Sequence, residues 1–382
     1  MIGNQIFNKY KGFIQSLLDL KKIEEGNMKQ DIPKSILKYD LKSQIFLIRD
    51  FSVLNDILEN SSKSTQYYKF EWKIIKNLRE NIYELSLKIE SHFGSYQIKS
   101  FYIIISKEDR FILAIGYFSS ENFKRIEAFL ESFFPKISYT FLSQNEIKKM
   151  IFTLIKKKNY SLEYKMIIYR KKAIDDIKPR KAVDYIIGDL KSKILELENE
   201  HKFIDAIELV VSIINENDIF HFSYNRMNKI TWIKGKIDEY INILNSIYKI
   251  VIEKFDYLDK RERKDTINND TKPFILKFNE SIFSTKEKIS SFIDSIKKFP
   301  KCTYAVMHSG NPYLHLMMRD IKDNSSYTLK TISYKDLMIY PQIISSNSSL
   351  IRILDFISNN IFEYEIVDYD TYLDEIQSIK EN

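Results

Sequence analysis

The sequence predicts an α+β protein of several domains: an N-terminal α+β domain over residues 1–175, a helical middle forming a hairpin or bundle over 176–272, and a C-terminal ferredoxin-like α+β domain over 273–382. Three observations predict it. A chain of 382 residues is longer than one ordinary core supports. Toward both ends of the chain the apolar spacing switches between two residues and about 3.6, as strands and helices alternate. From Arg180 to about Asp218, and again over Ile230–Leu258, the spacing stays near 3.6.

In the first domain, Ile6, Tyr10, Phe13, Ile14, Leu17 and Leu18 keep helical spacing until Gly26 and Pro33. Gln44–Phe51 reads as a strand and Ser52–Glu59 as a short helix. Trp72, Ile75 and Leu78 predict a further helix from Tyr68. Tyr83, Leu85, Leu87 and Ile89 then alternate, and two apolar runs, Ile98–Ile105 and Phe111–Phe118, complete an antiparallel meander. Glu121–Phe134 is helical, and Lys136–Leu142 is a strand. Ser143 with Glu146 makes a capping box for the next helix. Leu162–Arg170 alternates as a strand. In the middle, Arg180–Asp218 reads as helical, Ile230–Leu258 as one long helix, and 259–272, almost without apolar residues, as an exposed loop.

The C-terminal order is strand (Phe274–Phe278), helix (ended by Pro300, with a capping box at Ser284 and Glu287), three strands (Cys302–His308, Tyr313–Ile321, Tyr327–Ser333), helix (Ser348–Ser358) and strand (Ile361–Asp368). That order is close to a ferredoxin-like sandwich with one extra strand.

Composition narrows the function classes. One cysteine, Cys302, excludes internal disulfides and any cysteine zinc site and fits a reducing, cytoplasmic setting. No run approaches eighteen uninterrupted apolar residues, so no membrane-spanning helix is expected. Gly-rich phosphate loops, dinucleotide fingerprints, His-Glu-x-x-His and Gly-x-Ser-x-Gly are all missing. No cofactor and no catalytic set is expected.

Charge is segregated. Residues 148–193 hold fourteen Lys or Arg and five acidic residues, net +9, against +7 for the whole chain. Lys148, Lys149, Lys156, Lys157 and Lys158 fall on one predicted helix, Arg170, Lys171 and Lys172 at a strand end, and Arg180 and Lys181 at the next helix start. Tyr160, Tyr164 and Tyr169 lie between them. Cations that displace counterions, beside rings on which bases stack, are what a nucleic-acid backbone requires. The plain alternative is a solvated helix face, with lysines placed to suit the helix dipole.

A second candidate is the hairpin Cys302–Asp320. With SGNP as its turn, one face carries Thr303, Ala305, Met307, Leu314, Leu316 and Met318. The other carries Tyr304, His308, Tyr313, His315 and Arg319, with His308 and His315 diagonal at about 7–8 Å. That face is suited to stacking, phosphate or a metal, or else is a sheet face covered by another element. A Glu-x-Lys pattern at Glu163–Lys165 is the third candidate, but no Asp between 110 and 174 accompanies it.

These features predict a nucleic-acid-binding protein (DNA or RNA) without a catalytic site of its own, acting as a subunit of a nucleic-acid-processing or antiviral-defence assembly, with a protein partner and no membrane. The alternatives are a scaffold subunit that binds an acidic protein partner, and a metal-dependent nuclease using His308, His315 or Glu163.

Overall fold

The computed structural model describes residues 6–25, 38–59, 61–155, 160–171, 180–184, 188–200, 202–213, 219–263, 272–310, 313–342 and 344–381. Its strands, numbered in chain order, form two antiparallel sheets among these residues. The larger runs β10 (Gly188–Asp189), β8 (Tyr160–Lys171), β11 (Lys202–Ile213), β12 (Ile219–Asn225), β13 (Ile230–Lys234), β1 (Leu41–Ile48), β6 (Phe111–Tyr117), β5 (Gly94–Ser106), β4 (Ile82–Ser91), β3 (Tyr68–Arg79), β2 (Ser61–Ser64). Two short strands sit off this path, β7 (Ile137–Ser138) on β1 and β9 (Arg180–Asp184) on β8. The smaller sheet runs β15 (Cys302–Ser309), β16 (Leu314–Asp320), β17 (Ser326–Thr331), β18 (Asp336–Pro341), β14 (Phe274–Phe278), β19 (Tyr364–Asp368).

Apolar residues on both faces of the central strands dictate a sheet covered on both sides. On β1, Leu41, Ile45 and Leu47 face a core shared with helices α1 (Lys11–Glu25), α4 (Gln144–Ile155), α5 (Leu190–Asn199) and α6 (Ile237–Asp259). Phe46 and Ile48 face a second core under α2 (Val53–Leu58) and α3 (Ser120–Glu131). The first core continues into the smaller sheet and its helices α7 (Lys286–Ile296) and α8 (Asn347–Asn360). A last helix, α9 (Tyr369–Glu381), packs on β14 and β19.

Helix α6 is the spine between the sheets. Ile237, Tyr240, Ile241, Leu244, Ile247, Tyr248, Val251, Phe255 and Leu258 are buried along it at three- and four-residue steps. Each such side chain contributes about 1.5–3 kcal/mol on burial. Polar bonds fix its position: the Tyr240 hydroxyl donates to Ser43 Oγ at 2.6 Å, the Tyr248 hydroxyl to the Asp109 carbonyl at 2.6 Å, and Asn347 Nδ2 to the Phe255 carbonyl at 2.8 Å. Asp238 and Glu239 in its first turn suit the positive end of the helix dipole.

The helical middle and the ferredoxin-like C-terminal domain are both overturned. The described residues between 180 and 234 are mostly strand, with α5 as one short helix among them. In β11, Phe203, Ile207 and Val211 satisfy a helical period, but Ile207, Leu209 and Val211 also alternate. Pairing along the full length of β8 and with β12 selects the strand. The long helix predicted from Ile230 splits: 230–234 pair with β12 and β1, and the helix starts only at Ile237. Likewise 68–79 is a strand, with Phe70 and Trp72 buried and Ile75 exposed. In the smaller sheet, three strands separate β14 from β15, where a split βαβ unit leaves one. Strand β18, unread in the sequence, is one of them. Residues 264–271 of the expected loop at 259–272 lie outside the described residues.

The cap at Ser143 forms as expected: Ser143 N–H donates to Glu146 Oε2 at 2.7 Å and Glu146 N–H to Ser143 Oγ at 3.4 Å. The second cap moves one residue, to Thr285, whose Oγ1 accepts from Lys288 N–H at 3.3 Å. Thr285→Ala should cost about 1 kcal/mol in chemical unfolding, and Ser284→Ala much less. A larger loss for Ser284→Ala than for Thr285→Ala would place the cap at Ser284.

Candidate interaction surfaces

Among the described residues, the side chains of the basic stretch divide between ion-paired, exposed and buried positions. Lys148 is ion-paired with Glu198, and Lys193 with Glu196 at 2.7 Å. Lys149 is exposed, 3.9 Å from Glu253, beside a groove of about 360 Å³ lined by Phe141, Glu146, Lys254 and Tyr257. Glu146 and Lys254 pair there at 2.5 Å, so the groove carries both signs of charge. Of the interleaved tyrosines, Tyr164 is buried, and the Tyr160 hydroxyl donates to Glu239 Oε2 at 2.6 Å. The buried Tyr164 offers no stacking ring, and Tyr160 and Tyr169 are half-buried. Lys156, Lys157, Lys158 and Lys172 lie outside the described residues. Lys171, Arg180 and Lys181 are placed by backbone register: Lys171 stands opposite both Lys202 on β11 and Arg180 on β9, and Lys181 opposite Arg170.

Arg170 is the clearest departure from the sequence reading. It is 1 % exposed. Its Nε donates to Asp205 Oδ1 at 2.5 Å and Nη2 to Glu363 Oε1 at 3.1 Å; Nη1 donates to the carbonyls of Ser358 (2.9 Å) and Asn359 (3.0 Å). Arg226 lies alongside, pairing with Asp355 at 2.9 Å and donating to Ser358 Oγ at 2.8 Å. Burial pushes the Asp355 carboxyl up, against the pull of Arg226. This network ties the β8–β11 end of the large sheet to the segment joining α8 and β19. With four of its five N–H donors bonded to two carboxylates and two carbonyls, and only 1 % exposed, the guanidinium is enclosed and out of reach of a phosphate.

The hairpin β15–β16 forms, in a different register. Tyr304 pairs with Met318 and Val306 with Leu316, so Tyr304 and Val306 stand on the face that carries the buried side of β16. A bulge at Met307 then brings His308 directly opposite His315 on the other face. Tyr304 and the histidine pair are therefore on opposite faces, and Tyr313 is exposed beside the turn. Asp320 is fully buried, bonded to Arg352 and to Ser349 Oγ (2.9 Å). Among the described residues no three His, Cys, Asp or Glu side chains gather as a metal would need, and Glu163 is exposed on β8.

What the sequence reading missed is the state of β15. Seven of its eight residues are exposed, although it reads Cys-Thr-Tyr-Ala-Val-Met-His-Ser. It is the end strand of its sheet. Tyr304, Val306, Met307, Tyr313, Met317 and Ile321 make an exposed apolar cluster around it. Alternation alone could not reveal this, because it shows which residues share a face and not whether a neighbour covers that face. Cys302, at the start of the strand, is half-buried; burial, with Asp320 adding to it, pushes its thiol up to about 11. Near pH 8 roughly one thiol in a thousand is then ionised, and alkylation should speed up about tenfold per pH unit. A rate that levels off below pH 9 would contradict this.

No protein-family model matches the chain, and no curated protein is significantly similar to it in sequence. No helix among the described residues is long and apolar enough to cross a membrane.

Proposed function

We propose that this protein is an interaction subunit that binds another polypeptide by the open edge of its smaller sheet. The observation behind this reading is that β15 is an end strand, exposed on both faces and without a charged residue. Such an edge presents unpaired backbone donors and acceptors beside apolar side chains, which is what strand addition uses. The test is affinity purification of the full chain and of Val306→Lys. A stoichiometric protein, or a second copy of the chain, should accompany the wild type without nucleic-acid absorbance and be lost from the variant. A wild type that carries no polypeptide and stays monomeric overturns the reading.

A second reading, binding of a polyanion such as DNA or RNA, is favoured by one observation: Lys202, Lys171 and Arg180 stand in register across three adjacent strands. Reversing Lys171 and Arg180 to Glu, together with Lys156, Lys157 and Lys158, should then weaken nucleic-acid binding several-fold and flatten its salt dependence. Unchanged affinity would eliminate this reading. Arg170 has no part in it.

A further inference from the structure

The partner that fits β15 is a second copy of β15. This inference rests on the reading of the edge as a polypeptide-binding site and names the occupant.

The other end strands all carry charge, except the two-residue β7, whose Ile137 and Ser138 are both buried. β2 has Lys63, β9 has Arg180, Lys181 and Asp184, β10 has Asp189, and β19 has Glu365 and Asp368. Charges on an edge strand are the usual guard against pairing with another chain. β15 has no such charge over eight residues, so nothing on it attracts a charged segment and nothing on it repels its own copy.

Its pattern is also self-complementary. Residues 302–306 pair regularly with β16, and the bulge at Met307 ends that run. Antiparallel pairing of two identical strands requires one residue to face itself, because directly opposite residues share a face. Only Tyr304 centres the five regular residues. Cys302 then faces Val306 of the second copy, Thr303 faces Ala305, and Tyr304 faces Tyr304. One face of the pair is apolar throughout and the other is small and neutral. Such a contact is isologous and closes at two copies, because each edge is consumed by the other. Exposed Met317 and Tyr313 border the strand on the hairpin that carries it, and Met307 stands exposed at its bulge. We infer that the chain forms a two-fold dimer in which β15 pairs antiparallel with itself about Tyr304, joining the two smaller sheets into one.

Sedimentation of the full chain at tens of micromolar should show a dimer. Val306→Lys, at an exposed position, should raise the dimer dissociation constant about thirty-fold or more, the scale of a central interface residue. Tyr304→Cys in a Cys302→Ser background should cross-link to itself under mild oxidation, since opposed cross-strand Cβ atoms lie about 4.5–5.5 Å apart. Amide exchange over 302–306 reports the edge separately. A monomeric wild type with fast-exchanging amides there and no self-cross-link overturns the inference. If those amides are protected only in a complex with a different protein, self-pairing is overturned while the edge reading stands.

Discussion

Replacing Arg170 by methionine is expected to lower folding stability by roughly 3–5 kcal/mol, read as a fall in the denaturant midpoint. The reason is what remains behind. Asp205 and Glu363 would stay buried without the guanidinium that bonds both, and the Ser358 and Asn359 carbonyls would lose their donor. Removing one side of a buried ionic network costs far more than the network's net worth, because the stranded charge keeps its desolvation penalty. Replacing Asp205 and Glu363 by Asn and Gln in the same protein should therefore recover part of the loss. Lys149→Ala, on the exposed part of the same basic stretch, should shift stability by no more than about 0.5 kcal/mol. A loss below about 1 kcal/mol for Arg170→Met would place the side chain at the surface and return it to the nucleic-acid reading.

Gly235→Ala is expected to cost about 2–4 kcal/mol, combining a strained backbone with an overpacked contact. Gly235 has φ +136°, where a residue with a Cβ is strained. A Cβ there would also lie 2.4 Å from Phe220 Cβ and 2.7 Å from Trp232 Cζ2. Both neighbours belong to the row of stacked rings formed by Phe220, Phe222 and Trp232 beneath α6 and cannot move independently of it. Gly94→Ala is the control. It shares the positive φ, +129°, but a Cβ there meets nothing within 4 Å, so only the backbone strain remains, about 1 kcal/mol. Equal losses in thermal unfolding would mean that the packing at Gly235 is looser than described.

Gly235 also explains how much of the fold was legible. Residues 230–258 carry a nearly unbroken helical period, and the sequence reading carried it through one glycine. The chain instead uses that glycine to turn from β13 into α6. The same ambiguity recurs in β3 and β11, where apolar residues are dense enough to satisfy two periods at once. Only pairing with a neighbouring strand chooses between them, and the neighbours of β11, 160–171 and 219–225, become neighbours only in the folded chain. The candidate site was legible to a similar degree. The hairpin at 302–320 and its two histidines are there, but the Met307 bulge shifts the faces, and no spacing rule anticipates it.

By itself the sequence determined the local elements whose signals are complete within a few residues. These include the Ser143–Glu146 cap, the meander at 82–118, the helices at 144–155 and 286–296, and the lack of any helix able to span a membrane among the described residues. Capping, alternation and amphipathicity are short-range properties, so the residues that decide them are adjacent in the chain. Tertiary structure alone decided the strands between 180 and 234, the burial of Arg170 and the exposure of β15. Each of these depends on partners far away in sequence: Glu363 lies 193 residues from Arg170. A charge run shows where cations are concentrated, but only the fold determines which of them face water and which are enclosed by carboxylates.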